Sequence, residues 1–130
     1  MKRLILALTL LAGAAQADPA AIRGTIDGQM AAFSASDAAA AFDYAAPGIV
    51  GLFRTPENFA AMVRQGYPMV WRPASVEYLG TEDRGGAWTQ DVLVTDEAGR
   101  LHTLEYTMIE TEAGWKIAGV RLLNAAGVGA

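Results

Sequence analysis

The chain has no cysteine among its 130 residues and a single histidine, His102. The first absence excludes a disulfide framework, thiolate metal sites and a lipid-bearing N-terminal cysteine. The second excludes a zinc site built on imidazoles. Basic residues are few, with 10 Lys and Arg against 14 Asp and Glu and a formal net charge of −4. A surface of that sign suits neither nucleic acid nor anionic lipid. No phosphate loop, dinucleotide fingerprint, His-Glu-x-x-His pair or nucleophile elbow occurs, so no motif calls for a cofactor or a metal. The apolar run at residues 4–15 is about a dozen residues long, whereas a bilayer span needs roughly 20.

That short run has a different meaning at the start of a chain. Lys2 and Arg3 precede it, and the small-residue triplet Ala15-Gln16-Ala17 closes it, the three-part layout of a cleaved secretion signal. The expectation is cleavage after Ala17, a signal at residues 1–17, one domain at residues 18–130, and a periplasmic or secreted location with no retained membrane anchor. Removing Lys2 and Arg3 from the 10 basic residues, against 14 acidic ones, makes the exported form −6. Without disulfides it must be held together by burial alone, and its length is that of one domain with one core.

The exported part divides into a helical half and a strand half, a pattern that reads as α+β with an antiparallel sheet. Ile22, Ile26, Met30 and Phe33 form an apolar stripe that predicts a helix over about residues 19–34, with Pro19 in its first turn. Ser36 or Asp37 can cap a second helix running to about Ala45 and carrying Phe42 inward, with Pro47-Gly48 as its stop. A third starts at the cap Thr55 with Pro56 and Glu57, buries Phe59, Met62 and Val63, and ends at Gly66. Tyr67-Pro68 and Arg72-Pro73 bracket an expected extended connection through Met69, Val70 and Trp71.

From Ser75 the hydrophobic period changes to two, and four strands are expected at about 75–81, 87–96, 100–111 and 115–123. Glu97-Ala98-Gly99 and Glu112-Ala113-Gly114 both read as three-residue hairpin loops with glycine at the left-handed position. The first loop sets Trp88 opposite Met108, Gln90 opposite Tyr106, Val92 opposite Leu104 and Val94 opposite His102. The second sets Met108, Tyr106 and Leu104 opposite Ala118, Val120 and Leu122. One face thereby collects nearly all the large apolar residues of three strands. Keeping Val76 and Tyr78 on that face asks for pairing near Val76–Val92 and Tyr78–Gln90.

Over residues 20–124 the chain resembles the bacterial family called domain of unknown function 4864. The resemblance rests on residues 22–42, the string Thr55-Pro56-Glu57 with Phe59 and Met62-Val63-Arg64, Gly66-Tyr67-Pro68, Arg72-Pro73, and the closing Trp115-Lys116-Ile117. It implies a cone of the nuclear transport factor 2 type, three N-terminal helices packed on a curved four-stranded antiparallel sheet. It implies no agreed activity. Relatives within that wider fold include isomerases, dehydratases, polyketide cyclases and binding domains, so the fold selects none of them.

In such a cone the hollow is the place for a ligand. The ligand-binding candidates are Tyr67, Trp71, Tyr78, Trp88, Gln90 and Tyr106, and the catalytic candidates are His102 and Tyr106, which could serve as acid, base or oxyanion donor if gathered around one pocket. Against an enzyme stands the lack of an inward carboxylate at mid-strand, with Asp27 and Asp43 on helical faces instead. Arg64 and Arg72 could clamp an anion. On the opposite sheet face Glu77, Asp91, Glu105 and Arg121 should form a row in which Arg121 neutralises Glu105. Around it Leu79, Leu93, Ile109, Ile117 and Leu123 make a surface apolar enough for a homodimer contact. Three functions follow as expectations. The first is binding of a small apolar ligand or a periplasmic protein. The others are isomerase, dehydratase or cyclase chemistry in the hollow, and a structural or adaptor role without ligand.

Overall fold

A computed structural model describes residues 18–123, so the expected signal and its cleavage site lie outside the described residues. Helix α1, Pro19–Ser34, begins where the Asp18 carboxylate accepts the N–H groups of Ala20 and Ala21 at 3.1 and 3.3 Å. That cap satisfies two of the donors a helix start leaves free. Its stripe is the one expected, with Ile22 and Ile26 fully enclosed and Met30 and Phe33 nearly so. Burying each isoleucine stabilises the fold by roughly 1.5–3 kcal/mol. At Gly28 the helix lies so close to Tyr44 that a Cβ would come within 2.5 Å of the ring.

Ser36 takes a positive φ of 59° at the reversal, so Asp37 is the residue that caps α2, accepting from the Ala40 N–H at 3.0 Å. Helix α2 is short, Ala38–Asp43, and ends before Ala45. Ala45 instead forms an isolated parallel bridge with Ile117, closed by Ala46 N–H to the Ile117 carbonyl and Ile117 N–H to the Tyr44 carbonyl. Pro47 does not stop a helix. It starts one, α3, Pro47–Phe53, which makes four α-helices among the described residues where three were expected. Proline is at home in a first helical turn because its missing N–H is not needed there. Helix α3 ends on Arg54, whose φ is 74°, and none of its residues is fully buried.

Helix α4, Pro56–Gly66, starts and ends as expected: Thr55 Oγ1 accepts the Asn58 N–H at 3.1 Å, and Phe59 and Val63 are buried together with Ala60, while Met62 is half-buried. The next segment is not extended. Pro68–Val70 forms a 3-10 turn, and Met69, Val70 and Trp71 are all buried. A strand would have pointed alternate side chains outward, whereas a turn can bury three consecutive ones.

Four strands follow, β1 Ser75–Asp83, β2 Trp88–Thr95, β3 Leu101–Thr111 and β4 Gly114–Leu123, forming an antiparallel meander in sequence order. Between β2 and β3 every expected pair is present, from Trp88–Met108 to Val94–His102. Between β1 and β2 the partners are Val76–Val94 and Tyr78–Val92, two residues from the expectation, which keeps the faces unchanged. A bulge between Tyr78 and Thr81 then sets Thr81 opposite Gln90. Between β3 and β4, Leu104–Leu122 and Tyr106–Val120 pair as expected, but a second bulge follows Thr107, and Met108 faces Ile117 in place of Ala118. The cause is the turn. Thr111 pairs with Gly114, leaving a two-residue loop in which Thr111 Oγ1 accepts the Ala113 N–H and donates to the Gly114 carbonyl. The extra residue, Ala118, is absorbed in the strand. Ile117 therefore turns into the core, 4 % exposed, and leaves the outer face to which alternation had assigned it.

On that outer face Glu77 stands opposite Leu93, one step away from the expected acidic row. Glu105 is largely buried and accepts from Arg121 Nε at 2.7 Å and Arg84 Nη2 at 3.4 Å. Asp91, opposite Glu105, has its carboxyl pushed above the ordinary value by burial first and by the Glu105 and Glu82 charges second. Among the described residues no helix is long and apolar enough to cross a membrane.

Candidate functional site

Helices and sheet do not close completely on one another. Between them lies a hollow of about 310 Å³, walled by Phe33 of α1, Ile49, Leu52 and Phe53 of α3, Phe59, Met62 and Val63 of α4, and Tyr106, Ile117 and Val120 of the sheet. Leu52 lines it while remaining 70 % exposed, which places α3 at its mouth. Each element presents these residues for a local reason. The Thr55 cap fixes the start of α4, period-two alternation turns Tyr106 and Val120 inward, and the β4 bulge adds Ile117.

Three polar side chains line the hollow, Gln29, Tyr67 and Tyr106, and among the described residues no charged one does. The Tyr67 hydroxyl donates to the Val120 carbonyl at 3.0 Å. Gln29 is 4 % exposed, and its Nε2 donates to the Ala41 carbonyl at 3.2 Å. Tyr106 is 1 % exposed, and its hydroxyl is held well above the usual phenol range by burial and then by the neighbouring Tyr67. It is therefore a neutral hydrogen-bond donor at physiological pH, and a poor general base.

Of the residues singled out from sequence, Tyr67 and Tyr106 open on the hollow and the others do not. Trp71 stacks on Phe33 with ring centroids 4.8 Å apart, under the Arg64 guanidinium at 4.2 Å, so Arg64 is engaged in a cation–π contact. Tyr78 ties β1 to α1 by donating to Asp27 Oδ1 at 2.5 Å, beside the Arg23 carbonyl at 3.3 Å. Trp88 packs against the core from the start of β2. Gln90 is fully enclosed, and its Nε2 faces the carbonyls of Leu79, Gly80 and Asp91 at 3.0, 3.3 and 2.8 Å.

His102 shares the inner face with Tyr106 but lies four residues along β3, roughly 13 Å away at strand rise. There it borders a separate surface cleft with Arg72, Arg100 and Asp96, its Nε2 2.8 Å from Asp96 Oδ2. The His102 hydrogen bond holds the Asp96 carboxyl below its ordinary range, assisted by the Arg100 and Ala98 N–H groups. The two catalytic candidates thus do not meet around one ligand.

Residues 15–130 match the family described as domain of unknown function (DUF4864). The chain belongs to that family. In structure it is similar to an NTF-2 like protein of unknown function from Burkholderia xenovorans LB400, at 16 % identity and a TM-score of 0.48 over 85 % of this chain and 91 % of that one. No curated protein matches it.

In this DUF4864 domain the wall residues that sequence reasoning missed are Gln29, the α3 trio and Ile117. Gln29 had a legible signal: Ile22, Ile26, Gln29 and Phe33 recur at intervals of four, three and four, so a polar residue stands in the buried stripe. For Ile117 the signal was absent, because one residue of difference in the turn decides its face.

Proposed function

We propose that this domain binds a small, uncharged, largely apolar molecule in its hollow, outside the cytoplasm as the signal-like start implies. The observation that carries the reading is an apolar space of about 310 Å³ with no ionisable carboxylate or basic group in its wall among the described residues. An ion entering such a space would lose its hydration without a partner of opposite charge. A neutral apolar molecule would lose little and gain dispersion contacts on every side. Taking about 30 Å³ per water, the hollow has the volume of about ten waters, hence of a ligand of roughly ten heavy atoms. Ligands that small bind with Kd on the order of 10–100 µM.

The test is titration calorimetry with naphthalene, a rigid apolar body of that size, on the wild-type protein and on Met62→Trp, which fills the hollow from α4. Saturable binding to the wild type, lost in the variant while its thermal melt is retained, supports the reading. Wild type that binds no naphthalene, or a variant that binds it equally well, overturns it. Native mass spectrometry of protein purified from its own extracytoplasmic fraction distinguishes a ligand carrier, with added mass, from an adaptor without ligand.

A further inference from the structure

Two hydrogen-bonding atoms on residues that wall the hollow have no protein partner among the described residues. Gln29 Nε2 is committed to the Ala41 carbonyl, and because that partner is an acceptor, the amide cannot be reversed without setting oxygen against oxygen. Its Oε1 takes no hydrogen bond among the described residues, and it is not one of the sealed orphans, which are Trp71 Nε1 and Gln90 Oε1. The Tyr106 hydroxyl has no partner among the described residues either, and is likewise not sealed. Both side chains are more than nine-tenths buried, at 4 % and 1 % exposure, and both line the hollow. Buried polar atoms in folded proteins nearly always find partners, so an unsealed acceptor and an unsealed donor on two residues that line one small cavity describe the group that should occupy it.

We infer that the ligand carries one hydroxyl group, which donates to Gln29 Oε1 and accepts from the Tyr106 hydroxyl, on an otherwise apolar body of about ten heavy atoms. The inference rests on the proposed ligand-binding reading and narrows it to small alcohols and phenols. Other polar groups fit less well. A ketone or ether accepts from Tyr106 but leaves Gln29 Oε1 without a donor. A carboxylate sets like partial charges against Gln29 Oε1 and finds no cation in the wall. An ammonium group has donors for Gln29 and nothing to accept the Tyr106 proton. The Tyr67 hydroxyl, whose proton is held by the Val120 carbonyl, offers the ligand no second donor.

The experiment compares naphthalene, 2-naphthol and 2-naphthoate at pH 7 by calorimetry, three probes with one apolar body. Transfer from water alone favours naphthalene, because a hydroxyl must shed its hydration to enter. The inference expects the reverse, 2-naphthol binding roughly fivefold to tenfold more tightly than naphthalene and 2-naphthoate binding least. Tyr106→Phe and Gln29→Met should each reduce the preference for 2-naphthol over naphthalene by about fivefold, whatever either does to naphthalene itself. Equal affinity for naphthalene and 2-naphthol overturns the hydroxyl inference and leaves the apolar site standing. Tightest binding of 2-naphthoate overturns both. Failure of every probe to bind the wild type removes the site itself. The wild-type comparison needs no variant to fold.

Discussion

Gln90→Met separates a residue that holds the fold from one that would hold a ligand. The bulge in β1 between Tyr78 and Thr81 takes the Leu79 and Gly80 carbonyls out of the regular ladder, and Gln90 Nε2 reaches both across the strand pair while also facing the Asp91 carbonyl. An amide nitrogen has two hydrogens, so two of these three acceptors are satisfied at once. Methionine keeps the length and flexibility of glutamine but donates nothing. Losing two neutral hydrogen bonds should cost about 2–3 kcal/mol, and removing the enclosed, unpartnered Oε1 should return about 1 kcal/mol. The net loss of about 1–2 kcal/mol corresponds to a melting temperature lower by about 5–15 °C for a domain of this size. Gln90→Glu should cost more at pH 7, because a carboxylate only accepts and would face three carbonyl oxygens. Its folded pKa would lie above the unfolded value of about 4.3, so the penalty is full above the folded pKa and disappears as pH falls below the unfolded one. Urea unfolding at pH 7 and pH 4 measures both variants. A Gln90→Met protein as stable as wild type would refute the role assigned to the amide, and one that kept its stability but lost 2-naphthol would return Gln90 to the ligand site.

Asp91→Asn should stabilise the protein at pH 7 by a few tenths to about 1 kcal/mol, since it removes a carboxylate directly opposite Glu105. The folded pKa of Asp91 is raised from 3.8, so the ionised wild-type group destabilises above that folded value, and the advantage of asparagine should vanish as pH falls below 3.8. Thermal melts between pH 3 and pH 7 check the sign. Ile117→Ala should cost about 2–4 kcal/mol if the β4 bulge turns this residue into the core, and less than about 0.5 kcal/mol if it faces solvent. Chemical denaturation decides between them.

Much of the sheet was legible because its faces follow from two glycines. Gly99 and Gly114 both have positive φ, at 85° and 107°, and both follow a Glu-Ala pair. Yet the loops differ by a residue, and the side chain before each explains the difference. Asp96 accepts from the Ala98 and Arg100 N–H groups and spans a longer loop, whereas Thr111 closes a shorter one through Ala113 and Gly114. Glycine position alone does not carry that distinction. The helices teach the same lesson through proline. Pro56 and Pro47 each occupy a first helical turn, but Pro56 follows the cap Thr55, while Pro47 follows Ala46, which has no side-chain cap, and precedes two glycines. The local signal for α3 was therefore weak, and the backbone bond from Ala46 to Ile117 anchors its start. For the site, alternation correctly assigned Tyr106 and His102 to one face, but a face is not a depth. Which inward residues lie beneath the helices depends on where α1, α3 and α4 end, a tertiary fact without a local pattern.

An apolar space of this size is not neutral for stability. Enclosed cavities destabilise by about 24 cal/mol per Å³. At about 310 Å³ that sets an upper bound of roughly 7 kcal/mol. The open mouth at Leu52 lowers the real figure. Even half of it is a large share of the 5–15 kcal/mol by which domains are usually stable. Two features hold the space open. Small residues, Ala45 and Gly119, stand in its wall where larger ones would project into it, and the two-residue turn at Glu112-Ala113 displaces Ala118 so that β4 bends at that level. The same bend brings Ile117 round to form part of the wall. A sequence under selection for stability alone would fill such a gap by enlarging one of those residues, at about 0.8 kcal/mol gained per methylene buried. The aromatic cluster of Phe33, Phe42, Phe59 and Trp71 belongs to the same core, and two of its rings, Phe33 and Phe59, wall the hollow beside Ala45 and Gly119. The hollow thus carries an energetic cost, and the proposed ligand, filling its apolar volume while pairing with Gln29 and Tyr106, would offset that cost at each of its contacts.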